Sequence, residues 1–555
     1  MIKTQTPFRW LLNKIKKRIP VLLFLVFCSI GSSMCGVFFA LGSKGVIDSA
    51  VAGERGAFIR ACITQASIIV CLLVFHILLQ FLKDRTHAIL DMDWKKSLLH
   101  GLIKSEYSAV SAYHSSELLN RLNNDVRILD DSIINLLPSL AAMITKLVAA
   151  FCVISSMAPL FALALIFAGG FVILITAILR KNLKGLHKRV SEANGRVSAI
   201  MQETMEKLLA VQAMDITQEI ERRAKQRMDE RYAIQRKRRG VSLLSNTAVN
   251  VMYYFAGFAA LVFSASGLMA GTMTYGTMTA MIQLVNQIQS PLVGLSGFIP
   301  QFIAASAALD RLYELEKLPR TVSPCTEAAA DIYDRLDCIV GENMVFTYDR
   351  DRIFDGAQFQ LQKGSFCVVT GPSGVGKSTL LKLLLGIFRM ESGNLYLQCG
   401  SEQIPINGST RKLFSYVPQG NLLFSGSIRD NLLVVKPKAT AEELDRAVYV
   451  SAMDVFLSQL PDGLDTVLGE SGTGLSEGQA QRLAIARAVL GDAPILLLDE
   501  CTSALDASTE ALVLQRLRAL NNKTCIAVTH RLIAETICDI SIQMKDGQIY
   551  IKHLD

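Results

Sequence analysis

The sequence predicts two domains of different class: a six-helix all-α membrane domain, followed by an α/β domain built around a parallel sheet. Three observations predict this. The first 310 residues or so hold repeated apolar runs long enough to cross a bilayer, whereas the remainder alternates short apolar runs with charged, helix-forming stretches. At 555 residues the chain exceeds one ordinary core. In the second part, a glycine-rich segment directly follows a strand-like run, the setting in which backbone amides cradle phosphate.

The net charge of +8 does not point to nucleic acid. The cations concentrate before and between apolar runs, as in KIKKR at 14–18 and RKRR at 236–239, the pattern of cytosolic flanks. No stacking surface or groove-reading motif accompanies them. The twelve cysteines are scattered without a C-x-x-C pair or metal-ligand spacing, and Cys28, Cys71 and Cys152 sit inside apolar runs as small hydrophobes. Residues 1–20, containing FRWLLNKIKKRIP, read as an amphipathic basic segment lying on the inner membrane surface rather than a cleavable signal.

The membrane domain is expected over 21–310, with spans near 19–41, 58–82, 133–157, 159–179, 243–270 and 276–306. The third and fourth spans, and the fifth and sixth, are joined by short turns, whereas 83–132 and 180–242 are long charged arms. Arg121, Arg127, Arg189, Arg222 and Arg238 in those arms place them in the cytosol, with both termini. The sixth span carries Gln283, Asn286, Gln287 and Ser290 on one helical face, with Pro291 and Pro300 nearby. Such groups do not face lipid: they line a wet substrate cavity or hydrogen-bond a neighbouring helix. Lys146, at mid-span, either faces the substrate path or snorkels to the interface.

A linker is expected over 311–330 and the α/β domain over 331–555. GPSGVGKST at 371–379 fits G-x-x-x-x-G-K-[ST] between the strand-like SFCVVT and the helical LLKLLLGIF, which makes this a P-loop NTPase domain. Gly371, Ser373, Gly374, Gly376 and Thr379 shape the phosphate cradle, Lys377 reaches the outer phosphates and Ser378 holds magnesium. The buried run ILLLDE ends in Asp499, placed to assist magnesium, and Glu500, placed to polarise the attacking water. His530 follows the apolar run CIAVT at another strand end. In LSEGQAQRLAIARAVL, Ser476 and Gln479 form a capping box, and the remaining amides of that helix start offer an anion site.

With these motifs, the second part resembles the nucleotide-binding domain of ABC transporters, and the whole chain resembles an exporter-type half-transporter. The resemblance implies that Tyr348 stacks on adenine, that Gln419 of YVPQ is the glutamine-loop residue meeting magnesium and the attacking water, and that His530 is the switch histidine. It likewise makes SALD at 503–506, with Asp506, the loop beyond the second acid, and Glu470 of VLGESG a reader of the membrane domain. SSELLNRLNND at 115–125 and AMDITQE at 213–219 would carry coupling helices. The LSEGQ helix, through Ser476, Gly478 and Gln479, would close over ATP held by a partner, although Glu477 stands where the family has glycine.

The implied protein is an ATP- and Mg2+-dependent ATPase of the cytoplasmic membrane that exports a small molecule, lipid or peptide by alternating access. Its implied partner is a second copy of itself or a homologous half-transporter, and the retained Glu500 and His530 point to the first. A lipid flippase and an ATP-gated channel or regulatory subunit are the other readings, and the transported substrate is open.

Overall fold

The structure, a computed structural model, describes residues 6–554 apart from 322–326, 349–350, 421–422, 470–473, 521, 530, 532, 533 and 535. Side chains at 168, 171–184, 187–188, 245–246, 248–249, 252, 289–297 and 299 also lie outside the description, so Ser290 and Pro291 are not placed. The chain forms two compact units, 1–100 with 115–317, and 101–114 with 318–555.

The first unit is helical. Its long helices are Ile19–Val51, Arg55–Ile103, Val126–Met157, Pro159–Glu206, Thr217–Met269 and Tyr275–Glu316. The expected apolar runs fall within these helices, the fifth to within one residue at Met269, and most of the helices continue well past them. The 49 residues of Arg55–Ile103 make a rod of about 74 Å, over twice the hydrocarbon thickness. Hydropathy locates only the apolar part of such a rod, because its charged continuation keeps helical geometry without an apolar stripe. Among the described residues, Pro7–Val51, Arg55–Ile103 and Ser115–Met157 are long and apolar enough to cross a membrane, and Tyr253–Met269 is a shorter apolar helix.

Three expectations for this unit change. The N-terminal helix Pro7–Ile15 does not simply lie on lipid: Trp10, Leu11 and Ile15 are buried against Leu22, Leu90, Trp94 and Leu98. The Trp10 ring lies 5.4 Å from Trp94 and 5.7 Å from Tyr313, while Phe8 is exposed. Second, the linker does not begin at 311, because the last long helix runs to Glu316 and Arg311 holds Asp125 through two 2.7 Å hydrogen bonds. Third, residues 115–125 are bound into this unit. Arg121, almost wholly buried, donates to Glu117, to Glu314 at 3.0 Å and to the Arg311 carbonyl at 2.9 Å. The short helix that belongs with the second unit is instead Tyr107–Ser111. Buried ions need partners, and these partners fix the segment where it is.

The second unit combines two larger sheets. Strands β1 (Cys338–Tyr348), β2 (Asp351–Gln362), β4 (Ser392–Cys399) and β5 (Glu402–Pro405) form an antiparallel sheet in the order β2-β1-β4-β5. Strands β3 (Phe366–Thr370), β6 (Phe414–Val417), β9 (Ile495–Asp499), β10 (Thr524–Val528), β11 (Ile540–Lys545) and β12 (Gln548–His553) form the second, ordered β12-β11-β3-β10-β9-β6. All its pairings are parallel except β11 with β12. A two-stranded ribbon joins β7 (Gly426–Ser427) to β8 (Val467–Leu468). The central strands β3, β9 and β10 are apolar and buried on both faces, as parallel strands covered by helices must be. Their polar ends therefore gather at one edge, where such sheets bind ligands.

The segment 101–114 joins this unit through its backbone. Ser105 bridges Arg320, and the Glu106 amide donates to the Pro319 carbonyl at 2.8 Å. Glu106 also pairs with Arg389, and the Tyr107 ring sits edge-on to Phe388 at 6.3 Å.

Candidate active site

The glycine-rich loop runs from β3 into the helix Lys377–Leu384. Gly371, Gly374 and Gly376 all have positive φ, which keeps the amides turned inward. At Gly376, with φ of 104°, a Cβ would come within 2.2 Å of the Ile353 side chain, so only glycine fits. Ser373 is exposed on the loop and Thr379 half-buried in the first helical turn. Lys377 is buried, and its Nζ donates to the Gly371 and Pro372 carbonyls at 2.9 and 3.0 Å. Burial holds its ammonium below the ordinary lysine range, against the opposing pull of Glu500 and Asp499. A phosphate in the cradle would give this desolvated charge a partner.

Both acids sit where β9 ends. Asp499 is 1% exposed, and its two oxygens are bonded separately: Ser378 Oγ donates to Oδ1 at 2.9 Å and the Tyr416 hydroxyl to Oδ2 at 3.0 Å. Burial raises the Asp499 carboxyl above the usual range, and the Ser378 and Tyr416 bonds draw it back. Glu500 follows with φ of +49°, a left-handed conformation that costs a non-glycine residue on the order of 1 kcal/mol. Its amide donates to the Val528 carbonyl at 3.0 Å, which ties the turned backbone to β10. Gln419 Nε2 donates to Glu500 Oε2 at 2.7 Å. Ser378 Oγ and the Asp499 carboxylate form a hydroxyl–carboxylate pair of oxygen donors, the ligand chemistry that a hard divalent cation such as magnesium would take.

Tyr348 ends β1, 53% exposed, with its ring and that of Phe388 5.9 Å apart in a T-shaped arrangement. His530 and Glu470 lie outside the described residues. The neighbouring Arg531 is placed: it donates to the Leu505 and Ser503 carbonyls and to Glu510, all at 2.8 Å, and Glu510 in turn accepts from Thr502 at 2.7 Å.

The capping box expected at the LSEGQ helix is formed. Gln479 N–H donates to Ser476 Oγ at 3.3 Å, and Ser476 N–H to Gln479 Oε1 at 2.9 Å, at the start of Glu477–Leu490. Ser476 and Glu477 are exposed there. Gly478 packs over the Ala504 carbonyl, where a Cβ would come within 3.0 Å. Gln481, which sequence reasoning passed over, donates to Ser503 Oγ and accepts from the Ala504 amide, both at 3.0 Å, so this helix holds the SALD loop. Asp506, grouped by the resemblance with the nucleotide-binding residues, caps the helix Ala507–Arg518 with its carboxylate, accepting from the Thr509 amide at 2.9 Å and hydroxyl at 2.7 Å and from Ser508. These donors hold it far below the usual carboxylate range, with Ser508 the largest contributor.

In the helical unit the polar face divides. Gln287 Nε2 donates to the Gly36 carbonyl at 2.7 Å, so this residue bonds a neighbouring helix, as the packing reading requires. Asn286 is exposed and near the Tyr253 hydroxyl, and the Gln283 and Gln287 Oε1 atoms are buried without a bond among the described residues. Lys146 is half-buried, with no acidic partner among the described residues.

Comparison with known proteins agrees with this geometry. Residues 22–292 match the family model for the ABC transporter transmembrane region, and 354–503 the model described as ABC transporter. The chain is 36% identical over 306 residues to ABC multidrug transporter mdr2 of Aspergillus fumigatus, covering 53% of this chain and 38% of that protein. It is 34% identical over 284 residues to the mycobactin import ATP-binding/permease protein IrtB of Mycobacterium tuberculosis, covering 50% and 48%. With the mitochondrial ATP-dependent permease MDL1 of Saccharomyces cerevisiae it shares 32% over 393 residues, 69% and 54%. The matches thus span about half, or less, of these relatives' lengths. A solved bacterial Atm1-family ABC exporter with ATP bound superposes with a TM-score of 0.80 at 23% identity, covering 96% of this chain and 94% of that one, a likeness of fold.

Proposed function

Because the chain belongs to the ABC transporter family, we propose that it works as an ATP-driven exporter, with two chains forming two composite ATP sites and one substrate path. The observation that carries this reading is the set of groups at one sheet edge. The cradle at 371–379, the buried Lys377, the Ser378–Asp499 pair and the Gln419–Glu500 pair all meet there. In this reading Lys377 holds the outer phosphates and Glu500, aligned by Gln419, accepts a proton from the attacking water. Magnesium, when bound, neutralises phosphate charge beside Ser378 and Asp499.

The same reading gives the exposed start of Glu477–Leu490 to the phosphate of a partner's nucleotide. Its capping box answers two orphan amides and leaves the others pointing outward. A second identical chain is the simplest partner, since the hydrolytic residues Lys377, Ser378, Asp499 and Glu500 are all present. Cargo and direction differ even in the names of its relatives, which include a β-(1→2)glucan export protein of Brucella suis and a mycobactin import protein.

Reconstitution tests the proposal. Proteoliposomes should hydrolyse Mg-ATP and move a fluorescent dye out of the ATP-bearing compartment. Movement of a fluorescent phospholipid between leaflets instead would favour a flippase, and ion conductance without hydrolysis would reject both.

A further inference from the structure

The parallel register of β6 and β9 sets Tyr416 opposite Leu497. Alternate residues of a strand share a face, so Leu497 and Asp499 point the same way, and so does Tyr416. From there the phenol reaches the strand end and donates to Asp499 Oδ2 at 3.0 Å. Three residues on, Gln419 leaves the same strand and donates to Glu500 at 2.7 Å. One strand end thus addresses both acids.

Packing alone does not ask for this hydroxyl. An apolar β-former would fill an edge-strand position, yet it would leave a carboxylate oxygen buried without a donor, because Asp499 is 1% exposed and its other oxygen already accepts from Ser378. With Oδ2 held, rotating the carboxylate would break that bond, which favours the orientation with Oδ1 turned to Ser378 Oγ at 2.9 Å. We propose that Tyr416 is a positioning residue for the magnesium site, acting through Asp499 rather than on nucleotide. The inference rests on the ATPase reading of the site.

The test is Tyr416→Phe in the full chain, which removes one oxygen and keeps the ring. Binding of a fluorescent ATP analogue is measured first without divalent ion and then during a Mg2+ titration. The metal-free affinity should stay at the wild-type value, while the half-saturating Mg2+ concentration rises roughly tenfold, the usual scale for losing a partner of a metal ligand. Saturating Mg2+ should restore most of the turnover, which a merely structural role does not predict. An unchanged Mg2+ midpoint, or an equal loss of metal-free and Mg2+-supported binding, overturns the assignment. If the wild-type protein itself binds the analogue with no dependence on Mg2+, the ATPase reading fails, and this assignment with it.

Discussion

Glu477→Gly sets two effects of one carboxylate against each other. Glu477 is the exposed first residue of Glu477–Leu490, directly after the cap Ser476. Deleting it removes a favourable charge from the positive helix end, worth roughly 0.3–1 kcal/mol. Glycine also lowers helix propensity by roughly 0.5 kcal/mol. The helix start is therefore weakened by about 1 kcal/mol. The proposed closure over a partner's ATP would work the other way. Two like charges about 8 Å apart, at an effective dielectric near 40, repel by about 1 kcal/mol. Removing that repulsion should tighten apparent ATP affinity roughly fivefold. The gain should shrink at high salt, because the Debye length is about 10 Å at 0.1 M. The assay is an ATP titration of hydrolysis and of chemically crosslinked dimer, in wild type and variant, at low and high ionic strength. Affinity that is unchanged, weaker or indifferent to salt would refute the reasoning and leave Glu477 with helix stability alone.

Other perturbations separate local roles. Gln481→Ala removes two 3.0 Å hydrogen bonds to the SALD loop and strands the Ala504 amide, a loss of about 2–3 kcal/mol. Hydrogen exchange at 502–506 should rise and ATP-dependent crosslinking should fall, whereas unchanged exchange would mean the loop is held by Arg531 instead. Replacing Gln283, Asn286 and Gln287 together by leucine should reduce dye-stimulated ATPase more than basal ATPase if this face meets substrate. Equal loss of both, with poor folding, would extend the packing role of Gln287 to the whole face. Burial pushes the Cys367 and Cys501 thiols up to about 12, so only about one in ten thousand is thiolate at pH 8. Maleimide at that pH should leave both unmodified in the native protein and label them after unfolding; rapid native labelling would show that the sheet edge opens.

Sequence was most legible where chemistry is local. The P-loop glycines, the two acids that close ILLLDE and the Ser476–Gln479 box depend on residues within a few positions of one another, and the structure places each in the local setting that its pattern implies. What depended on distant partners was not legible. Nothing near Arg121 says that it will meet Glu314 and the Arg311 carbonyl, and so residues 115–125 read, by resemblance, as the carrier of a coupling helix. Tyr416 was passed over for the same reason, since its partner is 83 residues away and only strand register brings them together. The cap formed by Asp506 was legible but unread, since Asp before Ala-Ser-Thr is itself an N-cap signal. The helix lengths exceeded their apolar cores because charge ends a hydropathy window without ending a helix.

The central claim, that the groups at this sheet edge hydrolyse ATP between two chains, is tested most directly by Glu500→Gln. Gln419 Nε2 already donates to the Glu500 carboxylate, and the substitution keeps the shape while removing the base. The measurement is retained radiolabelled ATP together with crosslinked dimer, alongside phosphate release, in purified wild-type and variant protein with Mg2+. The account predicts that wild type releases phosphate steadily, while the variant loses nearly all turnover yet holds unhydrolysed ATP in a closed two-chain form. Turnover at the wild-type rate in the variant, or a variant that neither binds ATP nor dimerises, would contradict it.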